Sequence, residues 1–196
     1  ILELLRRAPV RSHPMSLLRT AVSALSLEDA NPADRSVEAE RRRAVELLAR
    51  IPTIIAAGYR LASGAEPVAP KPEYSQAANL LYMLRGWEPD DHEVAALDVS
   101  LILYAEHGFN ASTFTARVVS STLSDIHASI VAAIGALAGS LHGGANEKAM
   151  EMLEQIGSAA EAEQWVLDAL AEKRKIMGFG HREYQTGDSR VPIMKA

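Results

Sequence analysis

An all-α fold is predicted by three observations. Ala and Leu, both strong helix formers, supply 55 of the 196 residues. Aromatic residues are only 5% of the chain. No stretch shows the alternation of apolar and polar residues, sustained over roughly four to eight positions, that marks a half-buried strand. Hydrophobic residues make up 48%, enough for one sizeable domain or part of a larger one.

The elements follow in order. Leu2, Leu4 and Leu5 open the chain with no capping residue before them, and Val191-Pro192-Ile193-Met194 begins a new segment just before the last residue. Both ends read as cuts through a longer protein. Within residues 39–63, Ala44, Leu47, Leu48, Ile51 and Ile55 recur at helical spacing. Pro52 is expected to kink or split that helix, and Arg41-Arg42-Arg43 reads as a solvated face of it. Residues 64–74 carry Pro67, Pro70 and Pro72 and read as a loop. A short helix over 75–84 is stopped by Gly86 and Pro89. Asp90 with Glu93 predicts a capping-box start for a helix through Val94, Leu97, Leu101 and Ile102, ending near Glu106. Asn110 and Ser112 can cap a helix to about Ser121. Ser124 or Asp125 caps the next, which runs to Leu137, is Ala-rich and apolar on nearly every side, and is expected to be a buried central helix. Ser158 with Glu161 predicts a capping box for a helix through Trp165, Leu170 and Lys173.

Composition excludes several function classes. The chain has no cysteine, so a disulfide scaffold, a thiolate-zinc site and a thiol nucleophile are ruled out. A net charge of −5 makes no broad electrostatic case for a nucleic-acid or anionic-membrane partner. The longest wholly apolar run, residues 130–138, is far shorter than the roughly 20 residues a membrane-spanning helix needs. With no signal peptide visible, a cytoplasmic protein is expected.

Three stretches depart from core patterning, and each carries a histidine. The first is Glu106-His107-Gly108-Phe109-Asn110-Ala111-Ser112-Thr113, a polar cluster between two helices. The second is Gly139-Ser140-Leu141-His142-Gly143-Gly144-Ala145-Asn146-Glu147, where a turn delivers His142 at or just before a helix start and two glycines allow close approach to the backbone. The third is Met177-Gly178-Phe179-Gly180-His181-Arg182, followed by Asp188-Ser189-Arg190. It is no dinucleotide fingerprint, because Glu183 stands at the third glycine and no strand precedes it. No His-Glu-x-x-His occurs and the histidine intervals lack ligand regularity, so no metal site is expected. His13, His92 and His127 lie in ordinary helical or capping contexts and read as structural.

Together the three stretches resemble citrate synthases. The resemblance is carried by His107 with Asn110-Ala111-Ser112-Thr113, by Leu141-His142-Gly143-Gly144-Ala145-Asn146-Glu147, and by Met177-Gly178-Phe179-Gly180-His181-Arg182 with Asp188-Ser189-Arg190. His13-Pro14-Met15 and Arg19-Thr20-Ala21 extend it towards the start. It implies condensation of acetyl-CoA with oxaloacetate to citrate and CoA, without metal or cofactor beyond the CoA co-substrate. A carboxylate base removes a methyl proton while a hydrogen-bond donor stabilises the enolate oxygen. His142 is that donor by resemblance, and a helix start disfavours its imidazolium form. His181 then hydrogen-bonds and protonates the oxaloacetate carbonyl. Arg190 clamps a substrate carboxylate through its planar fork. His107 also holds oxaloacetate, with Asn110 a weaker candidate. Lys175, Ile176, Gly178, Phe179 and Gly180 correspond to the family's CoA adenine loop.

The resemblance further implies a helical large domain over residues 1–175, with residues 176–196 forming the active-site loop and the start of a small domain that is largely missing. It also implies a homodimer through large-domain helices. The family's catalytic Asp and further carboxylate-binding arginines fall after Ala196, so the 196-residue chain alone is expected to be inactive. Three positions depart from the usual pattern. Ser140 stands where Pro is usual, Glu183 where Val is, and Gln185 where a Lys or Arg contacts CoA phosphate. Two other readings stand beside citrate synthase. One is a 2-methylcitrate synthase using propionyl-CoA, since the Gly187-to-Pro192 version of the third motif resembles Gram-positive actinobacterial forms and one methylene is worth only about 1–3 kcal/mol of discrimination. The other is a non-catalytic helical paralogue.

Overall fold

The computed structural model describes residues 1–106, 108–179 and 186–195. The described residues form helices and connecting turns, with no strand among them. The helices are α1 Leu2–Arg7, α2 Pro14–Leu25, α3 Val37–Ala62, α4 Gln76–Arg85, α5 Asp91–Tyr104, α6 Ala111–Ser120, α7 Ile126–Leu137, α8 Gly144–Ile156, α9 Ala162–Ala171 and α10 Val191–Met194. The chain separates into two compact units, Ile1–Ala136 and Leu137–Ala196.

The first unit is built on α3, against which α1, α2 and α4 pack. Pro14 opens α2 at a position where its missing N–H is no loss, and His13 Nδ1 caps the helix by accepting from the Met15 N–H at 3.2 Å. Leu18, Ala21, Val22 and Leu25, spaced i, i+3, i+4, i+7, are all buried. They meet Leu5 of α1, Leu47, Ile54 and Ala57 of α3, and Ile134 of α7 in one apolar cluster. Burying a side chain such as Val22 contributes about 1.5–3 kcal/mol.

Two expectations for α3 are corrected. Its inward face takes only part of the apolar spacing, with Leu47 buried and Ile51 packed on the core. Ala39, Arg43, Leu47, Ile54, Ala57 and Gly58 are buried, whereas Leu48 and Ile55 are exposed. An inward-facing arginine shifts the buried stripe, and hydropathy alone reads that position as outward. Nor does Pro52 split the helix, which runs unbroken through it. Proline removes the N–H that would bond the Leu48 carbonyl one turn back. Gln76 Nε2 of α4 donates to that carbonyl instead, at 3.1 Å.

Arg43 itself departs from the expected solvated face. It is 3% exposed and ties down the segment before α3. Its Nε donates to Asp29 Oδ2 at 2.6 Å, Nη1 to the Asp34 carbonyl at 2.6 Å and Glu40 Oε1 at 3.0 Å, and Nη2 to the Asn31 carbonyl at 2.7 Å. The planar fork satisfies two backbone carbonyls and two carboxylates at once. The Arg43 hydrogen bond, followed by the Asn31 backbone N–H, holds the Asp29 carboxyl below the ordinary carboxylate range. Arg41 and Arg42 are exposed.

Local chemistry sets the remaining boundaries of this unit. Ser75 Oγ caps α4, and Gly86 ends it at φ +88, a left-handed conformation that favours glycine. Both halves of the predicted capping box are present at α5, from Asp90 to the helix N–H groups and from Glu93 back to the Asp90 N–H. Asp125 Oδ1 caps α7 by accepting from the Ala128 N–H at 2.9 Å. The expectation of a buried central helix holds in part: every residue of α7 but Leu137 is buried or half-buried. Ile126, Ile130, Val131 and Ile134 lie on the core, but only His127, Ser129 and Ile134 are buried. The Ala and Gly positions are half-buried rather than enclosed.

In the second unit, α9 corrects a further expectation. Ser158 and Glu161 do meet, but side chain to side chain, Oγ donating to Oε2 at 2.7 Å. The serine oxygen does not cap, the Glu161 N–H bonds the Ser158 carbonyl in a tight turn at 3.1 Å, and the helix starts only at Ala162. It ends at Ala171 rather than at Lys173. Lys173 adopts φ +56, so that the Arg174 N–H reaches the Ala169 carbonyl at 2.8 Å and the Lys173 N–H reaches Leu170 at 3.1 Å. These two bonds close a Schellman motif with lysine where glycine is usual.

Candidate functional site

The first histidine stretch follows α5. His107 lies outside the described residues. Asn110 is the N-cap of α6, its Oδ1 accepting from the Thr113 N–H at 3.0 Å and from Ser112 Oγ at 2.8 Å. That amide oxygen therefore holds the helix start. Arg117, two turns on, places its guanidinium 4.6 Å from the centre of the exposed Phe109 ring, a cation–π contact beside the motif.

The second stretch is a compact turn between the end of α7 and the start of α8. The His142 and Gly144 N–H groups both donate to the Gly139 carbonyl, at 2.9 and 3.2 Å, and the His142 carbonyl accepts from Ala145 at 3.1 Å. His142 is half-buried, two residues before the first residue of α8. It stands as expected, at the positive end of a helix dipole. The two glycines serve the chain's own packing. A Cβ on Gly143 would stand 2.5 Å from the Leu137 carbonyl oxygen and 2.6 Å from Leu137 Cδ1. One on Gly144 would stand 3.0 Å from the Gly139 carbonyl oxygen. The backbone after His142 thus folds tightly onto the end of α7, a contact open only to residues without a side chain.

In the third stretch, Lys175 and Gly178 are exposed, Ile176 is half-buried, and the Phe179 ring is 78% exposed. Residues 180–185, with Gly180, His181, Glu183 and Gln185, lie outside the described residues. Arg190 is the N-cap residue of α10 and is gripped by Asp188. Oδ1 accepts from the Arg190 N–H at 2.9 Å and from Nε at 3.0 Å, and Oδ2 accepts from Nε at 3.2 Å and Nη2 at 2.6 Å. His142, Lys175 to Phe179 and Arg190 belong to the second unit, and Asn110 to the first. No described helix is long and apolar enough to cross a membrane.

Comparison with known proteins identifies the lineage. The family described as citrate synthase, C-terminal domain, matches residues 1–196. The chain belongs to the citrate synthase family. Among curated relatives, a 2-methylcitrate synthase of Mycobacterium tuberculosis is 50% identical over 195 residues, covering 100% of this chain and 49% of that protein. Citrate synthase 2 of Bacillus subtilis is 51% identical over 183 residues, covering 93% of this chain and 49% of that protein. Among solved structures, the citrate synthase of Thermoplasma acidophilum, described as a ternary complex with carboxymethyl coenzyme A and oxaloacetate, superposes with a TM-score of 0.87 at 34% identity. That match covers 98% of this chain and 50% of the other. The citrate synthase of Pyrobaculum aerophilum gives a TM-score of 0.85 at 41% identity, covering 99% and 51%. The chain spans about half the length of the curated relatives it matches. The helical architecture described above is therefore that of citrate synthases.

Sequence reasoning missed the grip of Asp188 on Arg190, although the i, i+2 spacing of an acidic residue and an arginine could have signalled it. It also missed the inward Arg43, for which the acidic positions Asp29, Asp34 and Glu40 were the available signal.

Proposed function

We propose that this protein condenses an acyl-CoA with oxaloacetate, with acetyl-CoA giving citrate and CoA. The observation that supports this reading best is the placement of His142, half-buried in a tight turn at the N-terminus of α8, in a chain that matches the family along its whole length. As a carboxylate base removes a proton from the thioester methyl group, negative charge builds on the thioester oxygen. His142 donates a hydrogen bond to that oxygen, and the dipole of α8 favours charge of that sign nearby. His181 hydrogen-bonds the oxaloacetate carbonyl and delivers a proton to it as the carbon–carbon bond forms. His107 and Arg190 are the residues assigned to oxaloacetate, with Asn110 a weaker candidate. Residues 175–180 receive the adenine end of CoA. Water then cleaves the thioester and releases the thiol. In this reading residues 1–175 are large-domain helices and 176–196 begin the smaller domain, and the protein works as a cytoplasmic homodimer.

The experiment is thiol release from acetyl-CoA, dependent on oxaloacetate, by the full-length protein. His142→Ala is expected to lower kcat about 10²–10⁴-fold with little change in oxaloacetate affinity. Activity of wild-type magnitude in that variant defeats the assignment. A second reading is favoured by the relatives themselves, because a 2-methylcitrate synthase and a citrate synthase match at nearly equal identity. Propionyl-CoA is its substrate, and the ratio of kcat/KM for the two acyl-CoAs decides between them. A monomer mass in solution contradicts the dimer.

A further inference from the structure

We propose that the imidazole of His127 holds a bound water molecule, and that this water links the ring to the carboxylates of Asp29 and Glu46. His127 is in the first turn of α7, and its side chain is nine-tenths buried, at 10% exposure. A buried imidazole needs hydrogen-bond partners for its ring nitrogens. Among the described residues, its one ion-pair contact is Nδ1 with Asp125 Oδ1 at 3.7 Å, too long for a hydrogen bond. Yet no described side-chain nitrogen or oxygen that is sealed from solvent lacks a partner. The ring nitrogens therefore face space that water can enter.

A cavity of about 30 Å³ lies against the ring. One water needs roughly 10–15 Å³ and two to four polar partners. Six of the eight lining residues are polar or charged, His127 with Glu28, Asp29, Arg43, Glu46 and Arg50, which is the chemistry of a wet site rather than a dry apolar one. The cations there are already engaged. Arg43 binds two carboxylates and two carbonyls, and Arg50 Nη1 donates to Glu28 Oε2 at 2.6 Å. The acids keep acceptor capacity. Asp29 Oδ1 takes the Asn31 N–H at 3.0 Å and Oδ2 takes Arg43 Nε, which leaves each oxygen a second lone pair. Glu46 meets Arg42 at 3.9 Å, beyond hydrogen-bond distance. The Asp29 carboxyl, held low chiefly by the Arg43 hydrogen bond, also lies within electrostatic reach of His127. Water has two donors and two acceptors, so it can serve the imidazole and the carboxylates together. The result is a tether between elements distant in the chain, since Asp29 precedes α3, Glu46 lies on α3 and His127 lies on α7.

The test is a crystal structure of the full-length protein together with thermal melts of two variants. The map is expected to show a water within roughly 2.7–3.2 Å of a His127 ring nitrogen and of an Asp29 or Glu46 carboxylate oxygen. His127→Gln keeps a donor and an acceptor, so it should retain the water and most of the melting temperature. His127→Leu keeps neither, so it should lose the water and lower the melting temperature by about 2–6 °C. Three results overturn the proposal: a map that shows other interior waters but none at His127, a water unmoved in His127→Leu, or a His127→Leu protein that melts with or above wild type. A histidine that merely fills space would give the last of these, because leucine fills space without a polar group to satisfy. If His127→Leu fails to fold, the wild-type map decides alone.

Discussion

Replacing Gly143 by Ala is the most informative single perturbation of the turn that carries His142. The new Cβ would lie 2.5 Å from the Leu137 carbonyl oxygen, 2.6 Å from Leu137 Cδ1 and 2.9 Å from Leu137 Cγ. An ordinary carbon–oxygen approach is roughly 3.3 Å, so the turn and the end of α7 must separate by about 0.8 Å. The Leu137 side chain is partly exposed and can rotate aside. Its carbonyl is backbone at the last position of α7 and cannot. The cost therefore falls towards the upper part of the overpacking range, about 2–3 kcal/mol. For a chain of this size that lowers the melting temperature by roughly 4–12 °C, read by circular dichroism with a urea titration as a second measure. Leu137→Ala removes the side-chain share of the clash and should recover only part of the loss. A Gly143→Ala protein that melts with wild type, or full recovery by Leu137→Ala, would refute a backbone contact at this point.

Other substitutions probe features that position the fold. Pro52→Ala should raise urea stability by about 1–2 kcal/mol, because an interior proline costs up to about 3 kcal/mol relative to Ala and Gln76 offsets only part of it. Gln76→Ala should cost about 0.5–1 kcal/mol in wild type and nothing in the Pro52→Ala background, where the restored N–H takes the Leu48 carbonyl. Lys173→Gly should stabilise by about 0.5–1 kcal/mol, since glycine adopts the left-handed C-terminal position of α9 without the Cβ penalty. Equal or lower stability in an unfolding titration would count against that motif. Asp29 and Asp34 are both held below the ordinary carboxylate range, Asp29 chiefly by Arg43 and Asp34 chiefly by the Ser36 backbone N–H. A depressed folded-state value contributes stability that is fully present above about pH 4 and is lost as pH falls through that value. Arg43→Met should therefore lower stability at neutral pH and flatten its decline below about pH 4; an unchanged acid slope would mean that Arg43 does not set the Asp29 value.

Much of the fold was legible from local chemistry. The Asp90–Glu93 box, the Asn110 cap, the stop at Gly86 and the position of His142 ahead of α8 all depend on groups within a few residues of each other. Such signals survive into the structure because their partners are adjacent in the chain. The misreadings share the opposite property. The inward Arg43 depends on Asp29, Asn31 and Asp34 folding back over α3, and the continuity of α3 through Pro52 depends on Gln76 of another helix. At the site, the histidine motifs were readable as sequence. That Gly143 and Gly144 yield to Leu137 and Gly139, and that Asp188 seizes one edge of Arg190, required coordinates.

By itself, the sequence determined that this chain is helical, free of thiol chemistry, and built around three glycine-flanked histidine motifs in the order that citrate synthases use. Composition, helical period and short-range capping carry that information, and none of them needs a partner from far along the chain. Tertiary structure alone decided which flank of α3 faces the core, how a proline sits within an intact helix, and which edge of Arg190 meets Asp188. Those outcomes hinge on donors and acceptors brought together across tens of residues or across a backbone turn. Whether a buried carbonyl or guanidinium is satisfied is a question of position in space, and a one-dimensional pattern does not contain its answer.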